Sequence, residues 1–190
     1  MKIQAGEIYV GISRCLTGDQ VRYNGGHKKN VLICKTLSQY FRLIAFCPEV
    51  ESGMNTPRPA IQLRQTATGI RCVEVNHHDH AVTDQIVTCA RQQHDWLDHL
   101  CGYVFKNDSP SCGVTGVKIF HRNNYKPVGT GLFAQYIQDH YPMLPVAEAH
   151  QLSNPHQLET FIQRVYQMKR SRNTRQRGGI PHGSRLQAST

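Results

Sequence analysis

The chain has 190 residues and a mass of 21.6 kDa, enough for one domain of ordinary size or one domain with an appendage. With 39% hydrophobic and 18% charged residues it can build a sizeable core, which excludes disorder throughout. The formal charge is +9, from 22 Lys and Arg against 13 Asp and Glu, but residues 169–190 hold six of those cations and no acid. Without that segment the balance is 16 against 13, so the basic end, not the body, advertises an anionic partner.

In chain order, Ile8–Ser13 is a short apolar, β-branched run and reads as a buried strand. Asn30 caps an expected helix reaching Phe41, and Arg42–Phe46 is a second strand. A proline-rich loop with Pro48, Pro57 and Pro59 leads to two possible strands, Ile61–Leu63 and Ile70–Val75. Thr83–Leu100 has helical spacing, Gly102–Phe105 is another strand, and a Ser/Pro/Cys/Gly loop follows. Gly131–Tyr141 reads as helix, Leu144–Ala147 as strand and Pro155–Met168 as a final amphipathic helix. This alternation predicts an α/β fold: a mainly parallel sheet with flanking helices, a Rossmann-like single domain over 1–150, then a C-terminal helix over 151–170. Residues 171–190 lose periodicity and carry Gly178, Gly179, Pro181 and Gly183, the pattern of a disordered basic tail or an expression remnant.

No apolar run approaches the ~20 residues of a membrane span, and Glu7 interrupts the place of a signal peptide's apolar stretch. A cytoplasmic protein with no membrane partner is therefore expected, and its seven cysteines read as thiols, ligands or reactive groups rather than disulfides. Three of them, Cys15, Cys47 and Cys112, follow three predicted strands, where parallel sheets bind ligands. Cys34, Cys72, Cys89 and Cys101 fall within or next to predicted elements and read as small core residues. Thiolates suit soft metals and iron–sulfur clusters, and a cluster held by only three cysteines leaves one iron open.

Four segments then become recognisable. Ile12–Gly18, Val21–Lys28, Cys47–Val50 with Thr56–Pro59, and Lys106–Gly113 closely resemble, in order, the thiouracil desulfidase (TudS-like) family, over about Ile8 to Ala147. The resemblance implies a 4Fe-4S cluster on Cys15, Cys47 and Cys112 whose open iron takes sulfur from a thiolated pyrimidine base or nucleoside. Oxo base and sulfide would be released. It also implies Glu49 and Ser109 as catalytic residues, with Ser13, Arg22, Tyr23, Asn24, Arg58 and Ser111 around the substrate and Lys106 in the same loops. A carboxylate in reach can activate water or protonate a ring nitrogen, and a hydroxyl can steady a developing anion. Later segments, Gly131–Ala134, Leu144–Val146 and Phe161–Tyr166, resemble a long subgroup in which a YbgA-like domain follows; here a basic segment follows Arg170 instead. Cys89 stands where the family pattern leads one to expect glycine.

Other features are weaker. Gly129-Thr130-Gly131 reads as a tight turn, Asn76–His80 as a solvated loop rather than a zinc site, and His94, Asp95 and His99 as surface polarity. The alternative to an enzyme is a cluster- or zinc-stabilised module that docks RNA or a protein, which requires a basic stripe with exposed aromatics on the folded surface. Because the cations concentrate in the tail, the composition argues against a nucleic-acid partner.

Overall fold

Residues 4, 6–122 and 124–177 are described by a computed structural model of the protein. The elements run β1 (Tyr9–Ser13), α1 (Val31–Leu37), β2 (Arg42–Phe46), α2 (Pro48–Glu51), β3 (Ile61–Thr66), β4 (Gly69–Glu74) and α3 (Thr83–Arg91). They continue with α4 (His94–Leu97), β5 (Leu100–Phe105), β6 (Val117–His121), β7 (Asn124–Gly129), α5 (Leu132–His140), β8 (Val146–Glu148) and α6 (Pro155–Arg177).

The first sheet has the order β2-β1-β5-β8 and every pairing in it is parallel. Strands β1 and β5 are buried along their whole length because helices cover both faces. One layer packs Tyr9, Phe46, Tyr103 and Phe105 against Ala90, Leu97, Phe133 and Ile137; the other packs Val10, Ile12 and Val104 against Ile33, Leu37, Phe161 and Val165. Two-sided burial is why these strands read as unbroken apolar runs rather than alternating ones. The α/β expectation and its parallel sheet hold.

Most predicted elements appear with shifted ends. Asn30 caps α1 as expected, its Oδ1 accepting the Ile33 N–H at 3.1 Å. The long helix expected over Thr83–Leu100 breaks into α3 and α4 at Gln92 and Gln93, and its last residue joins β5. The final helix continues past Met168 to Arg177, so the first residues of the expected tail are helical. Tertiary contacts carry it on: Lys169 Nζ donates to the Glu7 carbonyl at 3.0 Å and Arg172 Nη1 to the Asp98 carbonyl. Residues 178–190, the rest of that expectation, lie outside the described residues.

A second sheet, β4-β3-β6-β7, was not anticipated. The β3–β4 and β6–β7 hairpins join through a parallel β3–β6 pairing, and one face buries Leu63, Cys72 and Val117 against Val82 and Ile86. The β6 and β7 sequences escape detection because exposure along β7 removes the alternation that marks a half-buried strand. No helix among the described residues is long and apolar enough to cross a membrane.

Candidate active site

The carboxyl ends of β1, β2 and β5 lie side by side, and the three chosen cysteines follow them. Cys15 sits in the 3-10 turn Arg14–Leu16 after β1, Cys47 is the N-cap of α2, and Cys112 lies in the loop after β5. All three line one cleft of about 240 Å³, with Ser13, Arg22, Tyr23, Glu49, Arg58, Lys106, Ser109 and Ser111. That volume is below the ~300–1,000 Å³ usual for drug-sized ligands, so the cleft suits a small molecule. Asn24 is not part of the lining; its Oδ1 accepts the Gly26 N–H at 3.1 Å within the 22–26 turn.

The thiols are desolvated and feel one another. Burial pushes Cys15 up to about 11, with the charge of Cys47 adding to it. Burial also raises Cys47 and, most strongly, Cys112, where a hydrogen bond from Ser13 pulls the other way. The other four cysteines stand apart, with Cys72, Cys89 and Cys101 buried in the core and Cys34 donating its thiol to the Leu16 carbonyl at 3.3 Å. Among the described residues no three His, Cys, Asp or Glu side chains close on a point suited to one metal ion, including the 76–80 loop. There His80 instead meets Glu74 at 2.9 Å.

Glu49 is fixed from two sides. Its Oε2 accepts from Arg58 Nη2 at 2.7 Å and Nε at 2.9 Å; its Oε1 accepts from Ser111 Oγ at 2.6 Å. Both ion-pair side chains are deeply buried, 6% exposed for Arg58 and 12% for Glu49. Arg58 also donates to the carbonyls of Val21 at 2.9 Å and Asn55 at 3.1 Å, so one guanidinium ties the 21–26 loop, the proline-rich loop and α2 together. Its donors are spent on the protein, which makes Arg58 an anchor of Glu49 more than a hand for the substrate.

Ser109 has a similar double character. Its Oγ accepts the backbone N–H groups of Ser111 at 3.3 Å and Cys112 at 3.1 Å, and lies 3.0 Å from Ser111 Oγ. Since Ser111 gives its single proton to Glu49, the proton between the two serines belongs to Ser109. A directed chain, Ser109 to Ser111 to Glu49, follows from donor arithmetic alone.

The cysteine loop is clamped from behind. Its carbonyls receive the first N–H groups of α5: Leu132 N donates to Pro110 O at 3.0 Å and Phe133 N to Ser111 O at 2.9 Å. Gly131 permits this approach, because a Cβ there would lie 2.6 Å from the Ser111 carbonyl carbon. The buried carboxylate of Glu148, at the end of β8, accepts the Val114 N–H at 2.8 Å. Sequence reading overlooked Glu148; its signal was an acid directly closing a short buried strand. Ser13 joins β1 to the far rim by accepting the Lys106 N–H at 3.0 Å.

Comparison with known proteins shows which family this chain resembles. The sequence model of the 2-thiouracil desulfurase family matches residues 10–149. An uncharacterized protein of Bacillus subtilis (strain 168), YbbK, is 27% identical over 135 residues, covering 67% of this chain and 87% of its own. The solved structure of the [4Fe-4S]-dependent thiouracil desulfidase TudS is similar with a TM-score of 0.58 and 27% identity, over 77% of this chain and 94% of that one. The matched residues contain all three strand-end cysteines, the clamped carboxylate and the serine loop, and on that match the chain belongs to the 2-thiouracil desulfurase family and is an enzyme of the desulfidase type.

Proposed function

We propose that the cleft removes sulfur from a small thiolated pyrimidine, with a 4Fe-4S cluster held by Cys15, Cys47 and Cys112. The observation that carries this reading is that three thiols from three adjacent parallel strands, Cys112 buried and Cys15 and Cys47 half-buried, line one cleft that also holds a doubly anchored carboxylate. The donor set fits: thiolate sulfur is the ligand for iron–sulfur clusters, and the solved relative TudS is described as [4Fe-4S]-dependent. When bound, such a cluster with one iron lacking a protein ligand supplies a soft Lewis acid for a thiocarbonyl sulfur.

The chain's own residues do the rest. Glu49 Oε1 takes a proton from a water or gives one to a ring nitrogen, and Arg58 keeps the carboxylate aimed during the exchange. The Ser109–Ser111 pair can follow each change of charge on Glu49 by reorienting hydroxyls, without moving backbone. Lys106, whose ammonium is pushed down by burial, and Arg22 supply positive charge at the rim for an anionic base. In sum, water replaces sulfur at carbon, yielding oxo base and sulfide.

The test is anaerobic reconstitution with iron and sulfide, followed by sulfide release from 2-thiouracil, 4-thiouracil and thiolated nucleosides. Cys15→Ser, Cys47→Ser and Cys112→Ser should each lose cluster absorbance and turnover. Wild-type turnover surviving any one of these changes would sink the three-cysteine cluster.

A further inference from the structure

The second sheet has a face that the desulfidase reading leaves without a task. Directly paired residues share a face of a sheet, so the register defines a transverse row. Arg71 on β4 pairs with Arg64 on β3, Arg64 pairs with Phe120 on β6, and Phe120 pairs with Tyr125 on β7. The row crosses all four strands and lies opposite the face that buries Leu63, Cys72 and Val117.

Its chemistry is asymmetric. The Phe120 and Tyr125 rings sit 5.5 Å apart, Tyr125 is 49% exposed, and Lys118 Nζ stands 4.4 Å over the Tyr125 ring. Arg64 donates to the carbonyl of Arg122, just past the end of β6, at 3.3 Å, and Arg71 meets Asp84 at 3.0 Å. Within residues 61–74 and 117–129, Arg64, Arg71, Lys118, Arg122 and Lys126 face one acid, Glu74, which His80 engages. Two arginines directly opposed on neighbouring strands destabilise a sheet.

We propose that this face docks single-stranded nucleic acid. Alternating needs of the ligand match the row: π-faces of bases stack on Phe120 and Tyr125, while phosphates meet Arg64, Arg71 and Lys118. Lys118 occupies the position over Tyr125 that a base takes, and moves to the phosphate when the base arrives. Charge complementarity selects this occupant over an apolar partner, which would have to desolvate the three cations of this face, Arg64, Arg71 and Lys118. The surface is built from residues 61–74 and 117–129, so it does not draw on the cations of 169–190, and it stands whether or not the cleft removes sulfur.

The full chain is titrated with fluorescent oligouridine and oligothymidine of about 12 nucleotides, a length matched to single-strand site sizes, at about 50 mM salt. Tyr125→Ala should weaken binding at least fivefold, roughly the low end for a lost base–aromatic stack, while Tyr125→Phe retains it. Arg64→Gln and Lys118→Gln should each flatten the salt dependence by about 0.7. A variant with Arg170, Arg175 and Arg177 changed to Gln controls for the C-terminal cations and should keep the Tyr125 effect. The relative affinity of the two oligomers identifies RNA or DNA as the source. The proposal is overturned by absence of wild-type binding, by equal affinity of wild type and Tyr125→Ala, or by inorganic polyphosphate binding the Tyr125→Ala and wild-type proteins alike and displacing both oligomers fully. Melting curves verify that each variant is folded, which the exposure of Tyr125 favours.

Discussion

Ser109 and Ser111 divide the work that the sequence resemblance had attached to Ser109 alone. Ser111 touches Glu49, whereas Ser109 holds the loop by two backbone N–H groups and reaches Glu49 only through its neighbour. Ser111→Ala should therefore lower sulfide release at least tenfold, within the ~10²-fold scale of acid–base catalysis, and by a larger factor than Ser109→Ala. Both variants leave a buried polar group short of a hydrogen bond, at a cost of about 1–3 kcal/mol each. Equal losses of sulfide release in the two variants would refute this division. Tyr103 offers an opposite case: its hydroxyl is buried without a hydrogen-bond partner among the described residues, and burial holds its proton on. Removing that orphan in Tyr103→Phe should stabilise the cluster-free protein by about 1–3 kcal/mol, measured by urea unfolding.

Among the elements, α5 is tied to the active site by its first turn. Its N–H groups have no side-chain cap; the carbonyls of the cysteine loop serve instead. Gly131→Ala inserts a methyl 2.6 Å from the Ser111 carbonyl carbon and 2.7 Å from the Cys112 nitrogen. Backbone cannot yield as a flexible side chain does, so the variant should lose about 1–3 kcal/mol and bind iron poorly on reconstitution. At the other end of the sheet, Glu7 accepts from Tyr9 and Arg42, which holds its carboxyl below the usual 4.5. A lowered folded-state value stabilises the fold above about pH 4.5 and loses that contribution as pH falls through the folded value. The wild type should thus melt above Glu7→Gln at pH 7 and converge with it once the pH has fallen below the folded value, a small effect for a solvent-accessible ion pair.

Across the whole molecule, α6 closes one side of the parallel sheet from the far end of the chain. Phe161 and Val165 pack over Gly102, where a Cβ would lie 2.7 Å from Val165 Cγ2. Phe161→Ala should cost about 3–5 kcal/mol in urea unfolding, the usual range for a large aromatic truncated in a core. A loss below about 1 kcal/mol would mean that α6 is an accessory to the domain rather than part of its core. The parallel sheet thus depends on a helix that lies beyond the residues matched by the family model, which end at 149.

Local pattern was enough for the parallel sheet and for the strand-end positions of Cys15, Cys47 and Cys112, because strands buried on both faces write themselves as short apolar runs followed by turn residues. It was also enough to separate the cleft cysteines from Cys72, Cys89 and Cys101, which lie inside elements. The β6–β7 hairpin stayed hidden, since one of its strands is exposed almost throughout and leaves no periodic trace. Nor could sequence show that Ser111 grips a carboxylate 62 residues earlier, or that Arg58 anchors it from the other side. The row Arg71–Arg64–Phe120–Tyr125 exists only through the pairing of four strands drawn from two distant hairpins. Periodicity is a property of neighbours along the chain, so it fixes which residues enter the core. Sheet order and register are properties of the packed chain, and they decide which of those residues meet.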